Sequence, residues 1–353
     1  MKPRIDISRL ARLLCACALP LALLAAPAQA QGQAQKLEKT DVRISLGWTF
    51  VASQAMFTYG VDKGFFKAEG LNVTVDRGAG SGAAIQRVNS GAYDFGYADI
   101  GTLTKYNAEN RARMLQAVYI SEDDSPLALF ALEGKGIARP KDVEGKRIAV
   151  SQFDGARIMF PVLAKANKID AAGMNWKTVD PQLREMMLAR GEADVITGFT
   201  ITSVPLLTTL KQKFVVLRYQ DFGVDGMGQA LVAAPDFIEK NPNTTRAVVR
   251  ALNRAMKAMI ENPREAVASL KSRDPVVDLE VEYGRMDLMV NQLILTAHAK
   301  KNGLSNPDPR RLTAIIGNVL EVADVKDPLP VNAVYNDRFL PPLTERIPPA
   351  YKP

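Results

Sequence analysis

Thiol chemistry is nearly absent from this sequence. Its only cysteines, Cys15 and Cys17, both lie within the first thirty residues. The chain beyond them has no disulfide, no thiolate nucleophile and no cysteine metal site. Histidine is scarcer still, since His298 stands alone, which leaves a Ser-His-Asp triad or a multi-histidine metal centre unsupported. No catalytic residue, metal ligand or cofactor is therefore predicted. The formal net charge is +7, but Lys2, Arg4, Arg9 and Arg12 lie in the first thirty residues against the single acid Asp6. The remainder is mildly basic with interspersed charges, and it lacks the concentrated basic face of a nucleic-acid binder. After the leader no apolar run approaches the length of a membrane span. Nor is there self-similarity at the periods of about 20–50 residues that mark solenoids.

The leader itself has a basic start, an apolar stretch "LLCACALPLALLAA" (13–26) too short to span a membrane well, and a small-x-small "AQA" at Ala28–Ala30. These features read as a secretory signal peptide cut after Ala30, with an uncleaved anchor as the alternative. Cys17 sits in a loose lipobox, but most of the apolar run follows it rather than precedes it. The product is then a soluble periplasmic chain of residues 31–353, with 31–40 a polar, flexible lead-in.

Beyond residue 40 strand patterns alternate with helix patterns. Strands are predicted near 42–48, 71–76, 93–98 and 113–120, and helices at 52–68, 81–90 and 101–109. The polar "SEDDSP" (121–126) breaks this rhythm. "LALFALEG" follows, and then a second series with strands near 147–151, 176–180, 193–197 and 214–218 and helices at 155–168, 182–190 and 201–211. A glycine- and acid-rich "QDFGVDGMG" (220–228) forms a second break, "QALVAAPDF" reads as a strand, and the rest is mainly helical. Asn241-Pro242 and Asn262-Pro263 read as helix N-caps followed by proline. Val248, Val249, Leu252, Ala255, Met256, Met259 and Ile260 form the apolar stripe of a packed helix. The proline-rich tail, 328–353, is expected on the surface.

Such alternation predicts an α/β fold with parallel-rich sheets. Two breaks imply two lobes joined by a double connection. Lobe 1 comprises 41–122 plus 223–353, with C-terminal helices, and lobe 2 comprises 123–222. Ligands of such folds sit between the lobes, at the carboxyl ends of strands.

One strand-to-helix loop offers a competing reading. In "VDRGAGSGAAIQ" (75–86), Gly78-x-Gly80-x-x-Ala83 fits the dinucleotide fingerprint, with Asp94 and Asp99 roughly where a ribose-binding carboxylate belongs. The context does not fit. That fingerprint follows the first strand of its domain, this loop follows the second, and an exported chain is a poor home for a soluble NAD enzyme.

"KGFFKAEGLNV" (63–73), "GSG" with "QRVNSGAYDFGYAD" (80–99), "KDVEGKRIAV" (141–150), "YQDFGVDGMG" (219–228) and "FIEKNPNTTRAVVRALNRAM" (237–256) occur in this order. Together they strongly resemble the solute-binding proteins of ABC importers that serve alkanesulfonates, nitrate, taurine and thiamine-pyrimidine precursors. The resemblance implies a type II periplasmic-binding-protein fold and a monomer that delivers a small-molecule ligand to an inner-membrane ABC permease with its ATPase. A secreted ligand sensor is an alternative. So is an enzyme like the thiamine-pyrimidine synthase of the same family, but that synthase's cysteine-rich motif is absent here.

Candidate ligand contacts follow from the strand-end loops. Trp48 and Phe50 stack on a planar ligand or cover the core. Gly80, Ser81 and Gly82 offer backbone N–H groups and a hydroxyl at a helix start, with Ser81 an N-cap in the structural alternative. Asp99 accepts from a ligand or caps the next helix. In lobe 2 the candidates are Ser151, Asp154, the Gly155 backbone and Arg157, the last either a bidentate carboxylate partner or a solvated cation. Phe199, Asp221 and Asp225 complete the set, the two acids alternatively capping turns. Aromatic faces with several carboxylate acceptors suit a planar aromatic or pyrimidine-like heterocycle better than an alkanesulfonate, taurine or nitrate-like anion.

Overall fold

The structure, a computed structural model, describes residues 36–353. The predicted signal peptide with its cleavage site, both cysteines and the first half of the lead-in lie outside the described residues.

Along the chain, β1 (Asp41–Ser45) leads to α1 (Ala55–Asp62) and the single turn α2 (Phe65–Ala68). The predicted helix over 52–68 is thus two pieces, parted at Gly64. Next come β2 (Asn72–Asp76), α3 (Ser81–Asn89), β3 (Phe95–Asp99), α4 (Ile100–Glu109) and β4 (Gln116–Ile120). The second series is β5 (Leu127–Leu132), β6 (Arg147–Val150), α5 (Gly155–Ala166), β7 (Asn175–Thr178), α6 (Arg184–Ala189), β8 (Val195–Phe199), α7 (Thr200–Thr209) and β9 (Phe214–Arg218). After β10 (Gln229–Ala233) the chain is helical: α8 (Pro235–Lys240), α9 (Pro242–Glu261), α10 (Pro263–Ala268), α11 (Leu279–Leu288), α12 (Ala297–Asn302), α13 (Pro309–Val322), α14 (Val331–Val334) and α15 (Leu343–Arg346).

Two five-stranded sheets result, in the orders β2-β1-β3-β10-β4 and β7-β6-β8-β5-β9. Both are mixed. β1 and β6 pair in parallel with both neighbours, whereas β10 and β5 are antiparallel to both of theirs. The antiparallel strand of each sheet is the one the chain enters from the other sheet, so no helix crossover fixes its direction. The lobes also share a local device. Asp94, just before β3, and Asp194, just before β8, accept from the backbone N–H of Arg43 and Arg147 respectively, at 2.9 and 3.0 Å.

Alternating strand residues feed opposite faces. Leu231 and Ala233 join the core with Ile44, Phe95 and α9, while Ala230 and Val232 pack with Leu103, Leu312 and Ile316. The whole predicted stripe of α9 is buried. Asn241 and Asn262 do sit before their prolines, but neither side chain caps. Each Nδ2 donates back to the preceding helix, to the carbonyls of Phe237 (3.0 Å) and Ala258 (3.2 Å). The tail is not purely superficial either: Val334, Tyr335 and Phe339 are buried, and the Asn336 N–H donates to the Ala117 carbonyl at 2.9 Å.

The crossovers are bound to the first lobe. The N–H groups of Asp123 and Asp124 donate to the Leu293 carbonyl in a π-helical turn that extends α11. Arg311 of α13 meets both crossovers, pairing with Asp124 (2.8 Å) in one and Asp225 (2.7 Å) in the other. Farther along α13, Val319 packs in the second-lobe core beside Phe160 and Leu163, so this helix straps both lobes.

Leu252 on α9 is fully buried in the first-lobe core. Leu252→Ala is expected to cost about 2–5 kcal/mol by lost burial plus a cavity. A urea midpoint unchanged from the parent, with unchanged slope, would contradict this packing.

Candidate functional site

A narrow cleft lies where the carboxyl ends of β1, β2, β6 and β8 face one another. It encloses about 340 Å³ when the open space at its mouth is included. The first lobe contributes Gly47, Trp48, Ser53, Gln54, Gly80, Ser81 and Gln229, and the second contributes Asp154, Gly155, Arg184, Phe199 and Thr202.

Backbone contacts shape its first wall. The N–H groups of Gly78 and Gly80 donate to the carbonyls of Trp48 and Gly47, both at 2.8 Å, which binds the loop after β1 to the loop after β2. Gly80 has φ +130, and a methyl group there would collide with the Phe153 carbonyl of the opposite lobe. Only glycine satisfies both the conformation and the approach. Two residues on, the Gly82 N–H donates to that Phe153 carbonyl at 3.2 Å. The lobes therefore touch, backbone to backbone, at the start of α3. On the other flank Arg285 of α11 donates to the carbonyls of Ile201 (2.9 Å) and Thr202 (3.2 Å) at the start of α7.

The second wall is a buried ionic cluster. Asp154 caps α5 through Oδ1, which accepts from the Ala156 N–H at 3.1 Å. Its Oδ2 accepts from Arg184 Nη1 (2.9 Å) and Thr197 Oγ1 (2.6 Å). Arg184 Nη2 donates to Glu185 Oε1 (2.9 Å), which also accepts from Ser203 (2.7 Å). All three ionic groups are buried. Arg184 holds the Glu185 carboxyl below its ordinary pKa despite a desolvation that alone would raise it. The Arg184 guanidinium lies 5.3 Å from the Trp48 ring across the cleft. One guanidinium is thus matched by two carboxylates before any ligand arrives.

Polar capacity remains. Gln54 Oε1 and Arg184 Nε are buried without a hydrogen-bond partner. Ser81 Oγ accepts from the Asp99 N–H at 3.1 Å, leaving its own hydroxyl hydrogen to donate. Neither α3 nor α7 has a side-chain cap.

Of the candidates read from the sequence, the structure brings Trp48, Gly80, Ser81, Asp154 and Phe199 together on this lining, with the Gly155 backbone. Ser81 is not an N-cap, because Gly80 occupies that position. The other candidates lie off the lining. Phe50 packs against the first-lobe core. Gly82 meets the side chains of Phe153 and Ile158. Ser151 is buried outside the cleft. Asp99 caps α4, its Oδ1 accepting from the Thr102 N–H at 2.8 Å. Arg157 turns around α5 to stack at 3.9 Å on Trp176. Asp221 is exposed and pairs with Arg218 at 2.8 Å, and Asp225 is held by Arg311. The reading missed Gly47, Ser53, Gln54, Arg184, Thr202 and Gln229. Arg184 begins a helix with no strand directly before it, so the strand-end rule passes over it. Gln229 opens β10, whose antiparallel direction puts its start at the cleft end of the sheet. Among the described residues no helix is long and apolar enough to cross a membrane, and no group of three or more His, Asp or Glu is placed to hold a metal ion.

A cleft between two doubly connected α/β lobes, lined from both, defines the class: the fold is that of the periplasmic binding proteins. Residues 52–266 match the model of the family described as NMT1/THI5 like. The match covers more than half of the chain, which belongs to that family. No curated protein sequence matches the chain. A solved protein of Bordetella bronchiseptica RB50 is 20% identical, over 86% of this chain and 97% of that one, with a TM-score of 0.68. The alkanesulfonate-binding protein SsuA of Xanthomonas axonopodis pv. citri, bound to MOPS, is 14% identical over 85% and 100%, with a TM-score of 0.62. A Candida albicans gene product with the generic periplasmic binding protein fold is 13% identical over 85% and 97%, with a TM-score of 0.63.

Burial pushes the Asp99 carboxyl up to about 7, and its Oδ2 has no partner. The folded chain then holds a proton that the unfolded chain has lost. Stability attached to Asp99 falls as pH rises from about 4 to about 7 and levels off above. Asp99→Asn is expected to remove this slope, gaining more over the parent at pH 8 than at pH 5, by at most about 3 kcal/mol. Urea unfolding at both values is the check, and parallel losses in parent and variant would contradict it.

Proposed function

We propose that this chain is the extracytoplasmic substrate-binding component of an ABC import system. It captures a small planar aromatic or pyrimidine-like heterocyclic solute between its lobes and delivers it, as a monomer, to an inner-membrane permease with its ATPase. It performs no catalysis, and it reaches the periplasm by cleavage after Ala30. The observation that carries the ligand reading is the balance of the cleft. Trp48 and Phe199 supply aromatic faces, Gln54 Oε1 is an unused acceptor, and Arg184 is already outmatched by Asp154 and Glu185. A simple anion entering this wall meets an excess of negative charge, while a neutral ring with N–H or O–H groups finds acceptors and the Ser81 hydroxyl.

The second reading is an alkanesulfonate-, taurine- or nitrate-like anion. The uncapped starts of α3 and α7 favour it, since helix N-termini attract negative charge.

Thermal melts of chain 31–353 separate the two readings. The panel is aminopyrimidines and aromatic amides against taurine, alkanesulfonates and nitrate. A binder at one hundred times its Kd adds about 2.7 kcal/mol of stability. The heterocycles are expected to shift the melt, and Ser81→Trp is expected to abolish the shift. A response confined to the anions would reverse the assignment, and intact binding in Ser81→Trp would place the site elsewhere.

A further inference from the structure

Gln229 belongs to two structures at once. Its side chain lines the cleft, and its backbone opens the strand by which the chain returns to the first sheet. Glu122, the residue it binds, lies in the outgoing crossover. Glu122 Oε2 accepts from the Gln229 N–H, and Oε1 accepts from Gln229 Nε2, both at 3.2 Å. The two crossovers also bond directly: the Gly228 N–H donates to the Glu122 carbonyl at 3.1 Å, and the Ser121 N–H to the Gln229 carbonyl at 2.9 Å. Gly228 is glycine because a methyl group there would collide with the Glu122 carboxyl. Glu122 is wholly buried, and no basic side chain is bonded to it. A carboxyl is costly in such a place, and packing alone does not call for one.

With Nε2 held by Glu122, Gln229 Oε1 is directed to the Gly47 side, where the first wall of the cleft begins. Gln54 also lines this cleft, and its Oε1 is buried without a partner. We infer that Glu122 is a positioning residue: it fixes the Gln229 amide as a pocket acceptor and couples that acceptor to the angle between the crossovers. A ligand N–H that binds Gln229 thereby pulls on the hinge, and a hinge that opens misplaces the acceptor. The inference rests on reading the cleft as the ligand site, but its test needs no ligand.

Trp48 lies in the cleft and Trp176 lies outside it, against Phe160 and Arg157. In a Trp176→Phe background the remaining indole fluorescence reports the cleft, and acrylamide is the probe. Glu122→Leu keeps the volume and loses both hydrogen bonds. It is expected to raise the Trp48 quenching constant about twofold or more as the population moves toward open forms. Glu122→Gln keeps one acceptor for Gln229 Nε2 but sets its own NH2 against the Gln229 N–H, so it is expected to bring the constant part of the way back to the parent value, a rescue that a space-filling role does not predict. Should Glu122→Leu fail to fold, Gln229→Met decides in its place, with the same rise expected. Parent-like quenching in the folded Leu or Met variant overturns the inference, and so does a Gln variant as open as the Leu variant. If no heterocycle shifts the melt and the quenching still follows this pattern, the ligand reading fails and the hinge coupling stands.

Discussion

The insertion of β10 between β3 and β4 is the constraint on which the rest depends. A strand that arrives from the second lobe and pairs on both sides cannot leave without breaking two ladders. The chain therefore crosses twice between the sheets, once before β5 and once before β10. The polar side chains around these crossings follow from this topology. Arg311 holds Asp124 and Asp225 on one side of the crossovers, and Glu122 holds Gln229 on the other. Neither link would have meaning if the lobes were separate domains on a single tether.

The same insertion sets the chemistry of the cleft. Because β10 runs antiparallel, its first residue lies level with the last residues of β3, as the Gln229–Asp99 register shows. A glutamine from the final third of the chain thus joins loops from its start. Across from it, the guanidinium of Arg184 organises Asp154 and Glu185 rather than awaiting a charged partner. Burying such a cluster is expensive, and its gain is geometric: the N-cap of α5, the start of α6 and the Ser203 turn of α7 are fixed relative to one another.

How much of this was legible in the sequence follows from how local each signal is. Strand-helix alternation, the two breaks and the α9 stripe depend on near neighbours, and the structure carries all of them. Trp48, Gly80, Ser81, Asp154 and Phe199 were accessible because each lies just past a strand on the ligand side. Arg157 shows the limit of that rule. It begins a helix in the right loop, yet three positions beyond the capping Asp154 the helical turn carries it round to Trp176. Arg184 and Gln229 were invisible because their places depend on partners 30 and 107 positions away. A hydrophilic side chain carries no sign in the sequence of being buried. The nearest available hint was the pair Gly228-Gln229, a glycine against the first residue of a strand, at a crossover rich in acids.

The dinucleotide-like glycines mark where sequence and structure agree on physics but not on partner. Gly80 lacks a side chain so that a backbone can approach, as a phosphate-binding glycine does. What approaches is the Phe153 carbonyl of the facing lobe, and the N–H that meets it belongs to Gly82. The contact between the lobes at this edge is therefore made by backbone atoms. On the proposed reading, discrimination falls to side chains of the lining such as Trp48, Gln54, Ser81, Arg184, Phe199 and Gln229, the last of which is also bonded to Glu122 of the outgoing crossover. On that reading a change of solute needs changes at those few positions, while the glycines, the ionic cluster and the crossovers keep the two walls in place.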